Sequence, residues 1–465
     1  MKSEFKNERC DTKQTNSRRT LRNPSIYVRV RPTATGGGHA DQTAVYKRLQ
    51  GWNKKCVMLE DRHGVTNYDF SKEVFPPESS QEQVFQTSIL ELLKDFGNGL
   101  HNLVFFAYGQ TGTGKTHSIF GTTAALESTT HHTDWGIFPL AVYNLLNMMR
   151  ENQNSTTYTL EAQAVEFYMF ECFDLLNSRS VTQLNRHNKP TGAKSMAINS
   201  MSDVMQYLKI VHAERTAAGT RMNEKSADHS GSSRSHCALI LVLRQVKKDT
   251  NSYKKTVFNL VDLAGAERPG KNGHNRQAVF ESLMAHYYGT SKSSEISSVA
   301  SQAAVVNYEL AELIKEVVKA TDSHKQSRTY LPPSQLCSAA ICFLAGCFNG
   351  DYLIGMLVCV SQAASCGWET WFSLQYGTDL SKLKAPSRVV KSHSLNAILK
   401  RAENDAIAAE KALKQTPKFG APSSKYFRHR ETQMLFTRHE NGCLKELNAK
   451  LNQILQTCAN MKNET

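Results

Sequence analysis

The sequence lacks the features that mark secreted and membrane-spanning proteins. No apolar run approaches the ~18 residues that a membrane span needs. Residues 1–23 are polar and basic, without the apolar core of a secretory signal. The 11 cysteines include no C-x-x-C pair, so we expect reduced thiols rather than disulfides or a metal cluster. The lack of these three features predicts an intracellular protein with no membrane span.

Positive charge is plentiful but confined to the two ends of the chain. The formal net charge is +14, with seven Lys/Arg against three acids in residues 1–23 and sixteen against seven in residues 382–465. The remainder is nearly neutral, with thirty-three basic and thirty-two acidic residues. Basic ends fit an acidic partner such as tubulin, nucleic acid or anionic lipid, and they equally fit solvated linkers.

One stretch has the pattern G-x-x-x-x-G-K-[ST] of a phosphate-binding loop. It consists of Gly109, Gln110, Thr111, Gly112, Thr113, Gly114, Lys115 and Thr116. The apolar run 103–107 before it predicts a buried parallel strand, and the residues after it can begin a helix. Glycines let backbone N–H groups approach phosphate oxygens, Lys115 supplies a positive charge, and Thr116 offers a hydroxyl to Mg²⁺. The alternative, a Gly/Thr-rich surface turn, accounts less well for the preceding strand.

Two later stretches have the composition of further nucleotide-binding segments. The first stretch consists of Ser232, Ser233, Arg234, Ser235 and His236. It places three hydroxyl groups and one guanidinium directly before a predicted strand. The second is an apolar strand, 258–262, that ends in Asp262 and is followed by Gly265. An acid at the carboxyl end of a strand beside a phosphate loop is positioned to hold Mg²⁺. Each stretch alone also fits a polar loop or a strand and turn, but their order favours one nucleotide site.

Together these stretches resemble the kinesin motor domain over residues 24–386. Residues 106–117 are close to the kinesin phosphate loop, and residues 232–236 reproduce the first switch, S-S-R-S-H. Residues 262–267, D-L-A-G-A-E, are similar to the second switch, and residues 29–32 are similar to the R-x-R-P segment that contacts adenine. The resemblance implies an α/β fold of the P-loop NTPase class. We expect a central mixed, mostly parallel β-sheet with helices on both faces, plus a C-terminal helical extension.

The resemblance also implies cofactors, which are ATP and Mg²⁺, and roles for the matched residues. Arg29, Arg31 and Pro32, with His117, would line the adenine pocket, where stacking and cation–π contacts suit these residue types. The phosphate loop and Ser232 would contact the nucleotide.

The catalytic roles follow from the two switches. Ser233 would close on Mg²⁺ and the γ-phosphate, while Thr116 and Asp262 would hold the metal and its water shell. An ion pair between Arg234 and Glu267 would position the attacking water, and Gly265 would sense the γ-phosphate. An exposed Arg234–Glu267 pair with no catalytic role is the alternative, worth about 0–1 kcal/mol.

The sequence departs from the kinesin pattern in the region that would face the microtubule. Ala266 replaces the usual serine, and the segments 223–232 and 268–306 are longer than in the family. No Lys or Arg occurs from Thr329 to Ser381. Because tubulin is acidic, we expect a weakened interface that depends on the nearby cations Lys315, Lys319, Lys325 and Arg328.

The remaining chain divides into two extensions. Residues 1–23 read as a disordered basic segment, and residues 387–465 read as a neck or tail with two short heptad-patterned helices. The first seam is Leu395, Leu399, Ala402, Ala406, Ala409 and Leu413, and the second is Leu444, Leu447, Leu451, Ile454, Cys458 and Met461. Each seam is too short to decide between a homo- or heterodimeric coiled coil and helices that fold back on the motor.

The expected function is therefore that of an ATP-dependent microtubule motor. It would be a microtubule-stimulated ATPase, located in the cytoplasm on the cytoskeleton, with tubulin favoured over nucleic acid as the acidic partner. The alternative is an ATP-binding kinesin-like scaffold with weak or no motility, which the absence of Lys and Arg from residues 329–381 favours. A P-loop ATPase without a cytoskeletal role would leave the S-S-R-S-H and R-V-R-P segments unexplained.

Overall fold

The structure is a computed structural model that describes residues 21–32, 47–61, 64–70, 72–185, 187–222, 234–265, 299–333, 338–363, 366–416 and 423–463. The strands are β1 (Leu21–Arg22), β2 (Ser25–Arg31), β3 (Lys47–Trp52), β4 (Cys56–Asp61), β5 (Gly64–Asp69), β6 (Val74–Phe75), β7 (Asn102–Tyr108), β8 (Thr156–Tyr168), β9 (Glu171–Asp174), β10 (Ser180–Leu184), β11 (Pro190–Thr191), β12 (Met196–Ala197), β13 (His236–Lys247), β14 (Ser252–Asp262), β15 (Tyr352–Ser361), β16 (Ala385–Pro386) and β17 (His393–Ser394). The α-helices are α1 (Gln81–Ser88), α2 (Leu90–Gly97), α3 (Lys115–Phe120), α4 (Ile137–Glu151), α5 (Met201–Met222), α6 (Val299–Lys325), α7 (Ala339–Gly346), α8 (Gly367–Ser381), α9 (Leu395–Lys414) and α10 (Ser423–Asn463).

A twelve-stranded mixed sheet forms the centre of the fold. Its order is β11-β10-β9-β8-β13-β14-β7-β15-β2-β6, with β12 beside β8 and β17 beside β14. Neighbours from β14 to β6 are parallel, whereas the other pairs are antiparallel. The prediction of a mixed sheet is confirmed, but "mostly parallel" describes only the half around β7. The strands β8 to β10 and the pair β13–β14 are joined by short turns, which require antiparallel pairing.

The central strands are apolar on both faces because helices cover both faces of the sheet. Along β7, Val104 and Phe106 belong to one buried core with α6, α7 and α8. The alternate residues Leu103 and Phe105 belong to a second core with helices α1 to α5. This two-sided burial explains the continuous apolar run that the sequence shows before the phosphate loop.

The stretch 329–381, which lacks Lys and Arg, supplies core elements. It includes α7, β15 and α8, in which Phe343, Leu357 and Leu374 are buried. The strand β15 pairs with β7 and β2 in the middle of the sheet. Most of this stretch therefore lacks Lys and Arg because it is interior, while Leu331 near its start is highly exposed.

The C-terminal helices α9 and α10 form an antiparallel hairpin that packs on the sheet. Glu403 of α9 pairs with Lys445 of α10, and the later Glu410 pairs with the earlier Arg438, as antiparallel helices require. Leu395 of the first seam and Leu444, Leu447 and Leu451 of the second are buried with Val246 and Tyr253. This packing favours the fold-back alternative. The second helix is 41 residues long, so the prediction of two short helices is wrong for α10, whose apolar seam occupies only its second half.

Among the described helices, none combines the length and the hydrophobicity that crossing a membrane requires.

Candidate functional site

The phosphate-loop segment lies at the carboxyl end of β7, between the ends of β14 and β15. The chain leaves β7 at Tyr108, turns through residues 109–114 and enters α3 at Lys115. Gly109 has a φ of +151°, and a Cβ there would lie 2.2 Å from the carbonyl oxygen of Cys359. Gly114 has a φ of +97° in a left-handed conformation that caps α3. The turn therefore needs glycine at both positions, once for space and once for backbone conformation.

The loop keeps its lysine inside a nest of its own carbonyl groups. The Lys115 Nζ donates to the carbonyl oxygens of Gly109 at 2.8 Å and Gln110 at 2.9 Å. Thr113 is buried, and its hydroxyl donates to the Gln110 carbonyl at 2.7 Å. Of the remaining loop residues, Thr111 is half-buried and Gly112 is exposed. Lys115 is thus only 7% exposed, and its ammonium group is held by the carbonyl groups of the loop.

Three elements meet at the carboxylate of Asp262. The Thr116 hydroxyl donates to Asp262 Oδ2 at 2.8 Å, and Arg215 Nη1 of α5 donates to the same oxygen at 3.0 Å. Asp262 is 2% exposed and Arg215 is 4% exposed. The structure therefore brings together the predicted metal-binding residues Thr116 and Asp262, and it adds an arginine to them.

The residues of this corner fit a nucleotide with a divalent cation. The second oxygen of Asp262, Oδ1, is buried and has no hydrogen-bond partner among the described residues. A buried carboxylate oxygen without a donor is costly unless a cation or water satisfies it. With the loop N–H groups, Lys115 and a hydroxyl nearby, the donor set suits Mg²⁺ and phosphate oxygens.

The predicted adenine-contacting arginines pack against the phosphate loop and α1. Arg29 Nη1 donates to Gln81 Oε1 at 2.7 Å and to Ser118 Oγ at 2.8 Å. Arg31 Nη1 donates to the Gly112 carbonyl. Pro32 follows at the exposed end of β2. Burial lowers the pKa of Arg29 below its usual value, but the guanidinium stays charged at neutral pH because its usual pKa is so high.

His117 lies beside these arginines at the first turn of α3. Gln81 Nε2 donates to the His117 carbonyl at 2.7 Å and lies 3.3 Å from its Nδ1. Burial lowers the pKa of His117, and the positive charge of Arg29 lowers it further. The lowered pKa favours the neutral imidazole, which suits packing against an uncharged ring.

The two switch segments are described in part. Ser232, Ser233 and Glu267 lie outside the described residues, so their predicted roles and the Arg234–Glu267 pair stay predictions. Arg234 Nη1 donates to Gln302 Oε1 of α6 at 3.1 Å. Ser235 Oγ donates to Glu166 Oε1 of β8 at 2.6 Å. The described part of the first switch thus connects β8 to α6.

The start of the second switch is linked to the same helix. Gly265 is buried two residues beyond Leu263, whose N–H donates to the Ala107 carbonyl of β7 at 3.0 Å. The Ala264 N–H donates to His236 Nδ1 at 3.0 Å. The other ring nitrogen, Nε2, lies 3.3 Å from Glu309 Oε2 of α6. Two contacts therefore connect the nucleotide corner to α6.

Sequence reasoning missed Arg215, Gln81, Ser118 and Gln302. Arg215 is a single basic residue in a polar helix, and no local spacing relates it to Asp262, 47 positions later. Gln81 and Ser118 are ordinary helix residues whose role becomes visible only when β2 brings Arg29 between them. Only Ser118 could have been suspected from the sequence, because it follows His117 directly after the phosphate loop.

The chain is similar to members of one known protein family. The family model described as the kinesin motor domain matches residues 29–285. Kinesin-like protein KIN-14K of Arabidopsis thaliana is 33% identical over 253 residues, which cover 54% of this chain and 23% of that protein. Chromosome-associated kinesin KIF4 of Mus musculus is 35% identical over 213 residues, which cover 44% of this chain and 16% of that protein. The chain thus spans less than a quarter of the length of these relatives.

A solved structure titled "Structure of a fast kinesin: Implications for ATPase mechanism and interactions with microtubules" has a similar fold. The TM-score is 0.61 at 21% sequence identity, and the match covers 80% of this chain and 94% of that chain. At this identity the likeness establishes the fold. The family match covers more than half of the sequence and includes the phosphate loop, and the chain belongs to the kinesin motor domain family.

Proposed function

We propose that the chain binds and hydrolyses Mg·ATP and couples this to microtubule binding and movement. The observation that carries the proposal is the shared carboxylate oxygen of Asp262, which accepts hydrogen bonds from Thr116 and Arg215. A phosphate loop and the end of β14 meet there, with one carboxylate oxygen left without a donor among the described residues. This function would place the protein in the cytoplasm on the microtubule cytoskeleton.

Each residue of the corner has a role that follows from its contacts. Lys115 would transfer its hydrogen bonds from the carbonyls of Gly109 and Gln110 to phosphate oxygens. Thr116 and Asp262 would hold the metal and its water shell, while Arg215 keeps the Asp262 carboxylate oriented. Mg·ATP, when bound, supplies the phosphoanhydride bond and the metal charge that stabilises the transferred phosphoryl group. The Arg234–Glu267 pair would help position the attacking water, Ser233 would close on Mg²⁺ and the γ-phosphate, and Gly265 would sense the γ-phosphate.

The site would communicate with the microtubule through α6. Arg234 contacts Gln302 and His236 lies against Glu309, so the first switch touches this helix at two points. The second switch is linked to the helix through the hydrogen bond from the Ala264 N–H to His236. The Ser338 hydroxyl donates to the other oxygen of Glu309 and caps α7 through the Ala340 N–H. A change in either switch would therefore displace α6 and α7 together, as in other helix-shift transitions.

A second candidate is an ATP-binding scaffold with weak or no motility. The lysines Lys315 and Lys319 of α6 form ion pairs with Glu312 and Glu316, each one turn earlier. Paired lysines present less net positive charge to acidic tubulin. This observation supports a weakened track interface, while the complete set of nucleotide-binding residue types supports turnover.

Steady-state ATP hydrolysis with and without microtubules tests the proposal. We expect hydrolysis that microtubules stimulate strongly and that Lys115→Ala lowers on the order of 10²–10³-fold, because a charge aimed at the transferred phosphate is lost. Lys209→Ala is the matched control, since Lys209 forms only an exposed pair with Glu127. ATP-dependent microtubule binding without stimulation would favour the scaffold, and unchanged turnover in Lys115→Ala would refute the nucleotide site.

A further inference from the structure

The C-terminal helix crosses the sheet at a cluster of three different metal-ligating side chains. Glu161 belongs to β8, and His439 and Cys443 belong to α10. One ligand atom from each residue lies within 4.8 Å of the other two. The His439 Nε2 lies 3.3 Å from Glu161 Oε2 and 3.4 Å from Cys443 Sγ, which donates to Glu161 Oε1 at 3.0 Å. No part of the proposed nucleotide chemistry uses these residues.

The backbone fixes the geometry of the cluster. His439 and Cys443 are four residues apart on one helix, so their side chains lie on the same face. Glu161 lies in the long strand β8, where it is opposite Val242 of β13. Arg244 Nη1 donates to Glu161 Oε2 at 2.8 Å and restrains the carboxylate. A rigid strand and one helix face therefore present sulfur, nitrogen and oxygen to a common point.

We propose that Glu161, His439 and Cys443 bind one zinc ion, which fastens α10 to β8. Zinc bonds of ~2.0 Å to nitrogen and oxygen and ~2.3 Å to sulfur put tetrahedral ligand atoms about 3.3–3.6 Å apart. The distances of 3.0 to 3.4 Å in the cluster need shifts of a few tenths of an ångström. A thiolate and an imidazole select zinc over the hard cations Mg²⁺ and Ca²⁺.

The charges around the cluster permit a cation. With the thiolate formed, Glu161, Cys443 and the neighbouring Glu440 carry three negative charges against the two positive charges of Arg244 and Lys255, which both contact Glu440. Arg244 would remain an outer partner of the ligating carboxylate, as ligating carboxylates commonly have. Burial raises the pKa of Cys443 to about 12, so zinc must displace the thiol proton when it binds.

The cluster is open to solvent on one side. The side chain of His439 is 40% exposed, whereas Cys443 is buried. An ion can therefore enter past the imidazole, and a water molecule can complete the fourth position. Glu161 lies six residues along β8 from Phe167, which pairs with His236 at the nucleotide end, a separation of about 20 Å. The zinc site is thus distinct from the proposed magnesium site.

Cobalt substitution of the full chain tests the proposal, because Co²⁺ takes zinc sites and reports its ligands by absorption. The chain is used without a histidine tag, is reduced and stripped of metal by a chelator, and is kept in excess Mg·ADP. We expect one equivalent of Co²⁺ to produce the near-ultraviolet band of a thiolate–cobalt bond and the intense visible bands of tetrahedral cobalt. One equivalent of Zn²⁺ should abolish both.

Matched variants assign the bands to the cluster. Cys443→Ser should remove the near-ultraviolet band, and His439→Ala and Glu161→Gln should each weaken zinc binding by more than the ~10–100-fold that loss of an outer partner costs. Cys366→Ser and His429→Ala are the controls, since Cys366 lies before α8 and His429 lies three turns earlier on α10. Both should keep the bands and the affinity.

Two outcomes of the cobalt experiment would overturn the proposal. The wild-type chain could show no thiolate–cobalt band, in which case the three groups form only a hydrogen-bonded cluster. The band could also survive in folded Cys443→Ser, in which case another of the 11 cysteines binds the ion. If Cys443→Ser fails to fold, the wild-type spectrum and the near-isosteric Glu161→Gln still decide between these results.

Discussion

Two buried arginines, Arg215 and Arg244, each donate a hydrogen bond to a carboxylate of the central sheet. The two carboxylates differ in how many of their oxygens have hydrogen-bond donors. Arg215 donates to one oxygen of Asp262, which Thr116 shares, and the other oxygen has no donor among the described residues. Arg244 joins Glu161 of β8 to Glu440 of α10 at 2.8 and 2.6 Å. Lys255 then donates to both oxygens of Glu440.

The difference distinguishes a ligand-binding site at Asp262 from a structural contact between α10 and the sheet at Arg244. A buried carboxylate oxygen without a hydrogen bond destabilises the protein, and a bound cation removes this cost. Binding of nucleotide and metal would therefore stabilise the site around Asp262. The Arg244 network has both of its carboxylates paired, and it holds α10 against the strands β8 and β13. We infer that the first arginine serves binding and the second serves docking of the C-terminal hairpin.

The largest effect should come from removing either arginine. Arg244→Met and Arg215→Met should each lower the free energy of unfolding by about 3–5 kcal/mol, because each removes the buried guanidinium that pairs with a carboxylate in the interior. Urea denaturation measures this loss. Arg215→Met should also weaken Mg·ADP binding, whereas Arg244→Met should leave it unchanged. Equal weakening of nucleotide binding in both variants would contradict the division between the two arginines.

The next effect concerns the loop that faces Asp262. Gly109→Ala should cost more stability than Gly114→Ala, although both glycines have positive φ angles. At Gly114 a Cβ meets nothing within 4 Å, so only backbone strain of about 1–3 kcal/mol is added. At Gly109 the Cβ would also lie 2.2 Å from Cys359 O and 2.8 Å from Thr113 Oγ1. Urea unfolding of both variants checks the order, and a larger loss in Gly114→Ala would contradict it.

These two places also differ in how well the sequence predicts them. The phosphate loop is contiguous and follows an apolar strand, and Asp262 ends the apolar strand β14, so both could be located from local patterns. Arg215 could not, because its contact depends on how α5 crosses the sheet. The same holds for Glu161 and Cys443, which are 282 positions apart and meet only after α10 has docked.

The C-terminal hairpin shows the same limit. The seam residues Leu444, Leu447 and Leu451 are apolar at helical spacing whether they face another chain or this one. Only the tertiary packing on Val246 and Tyr253 distinguishes the two alternatives. The stretch 329–381, which has no Lys or Arg, is similar, since missing positive charge can mean a weakened surface or an interior element, and β15 and α7 are interior.

Acid should weaken the hairpin joint through Glu440. Burial alone would raise the pKa of Glu440, but the charges of Lys255 and Arg244 outweigh it and lower the pKa to about 2. A depressed pKa contributes stability above the usual value of 4.5, and the contribution is lost as pH falls toward 2. We therefore expect the stability difference between the wild type and Glu440→Gln to shrink between these pH values. If this stability difference stayed constant, the claim that its ion pairs lower the pKa of Glu440 would be wrong.

The smallest effect should come from the exposed pairs that join α9 to α10. Arg438 pairs with Glu410 at 3.1 Å, but their side chains are 62% and 42% exposed. Arg438→Met should change the free energy of unfolding by about 0–1 kcal/mol, because water already solvates both charges. Urea denaturation beside Arg244→Met provides the comparison on the same helix. If the two variants lost equal stability, exclusion of water would not be what makes the Arg244 joint strong, and the contrast with Arg215 would rest on geometry alone.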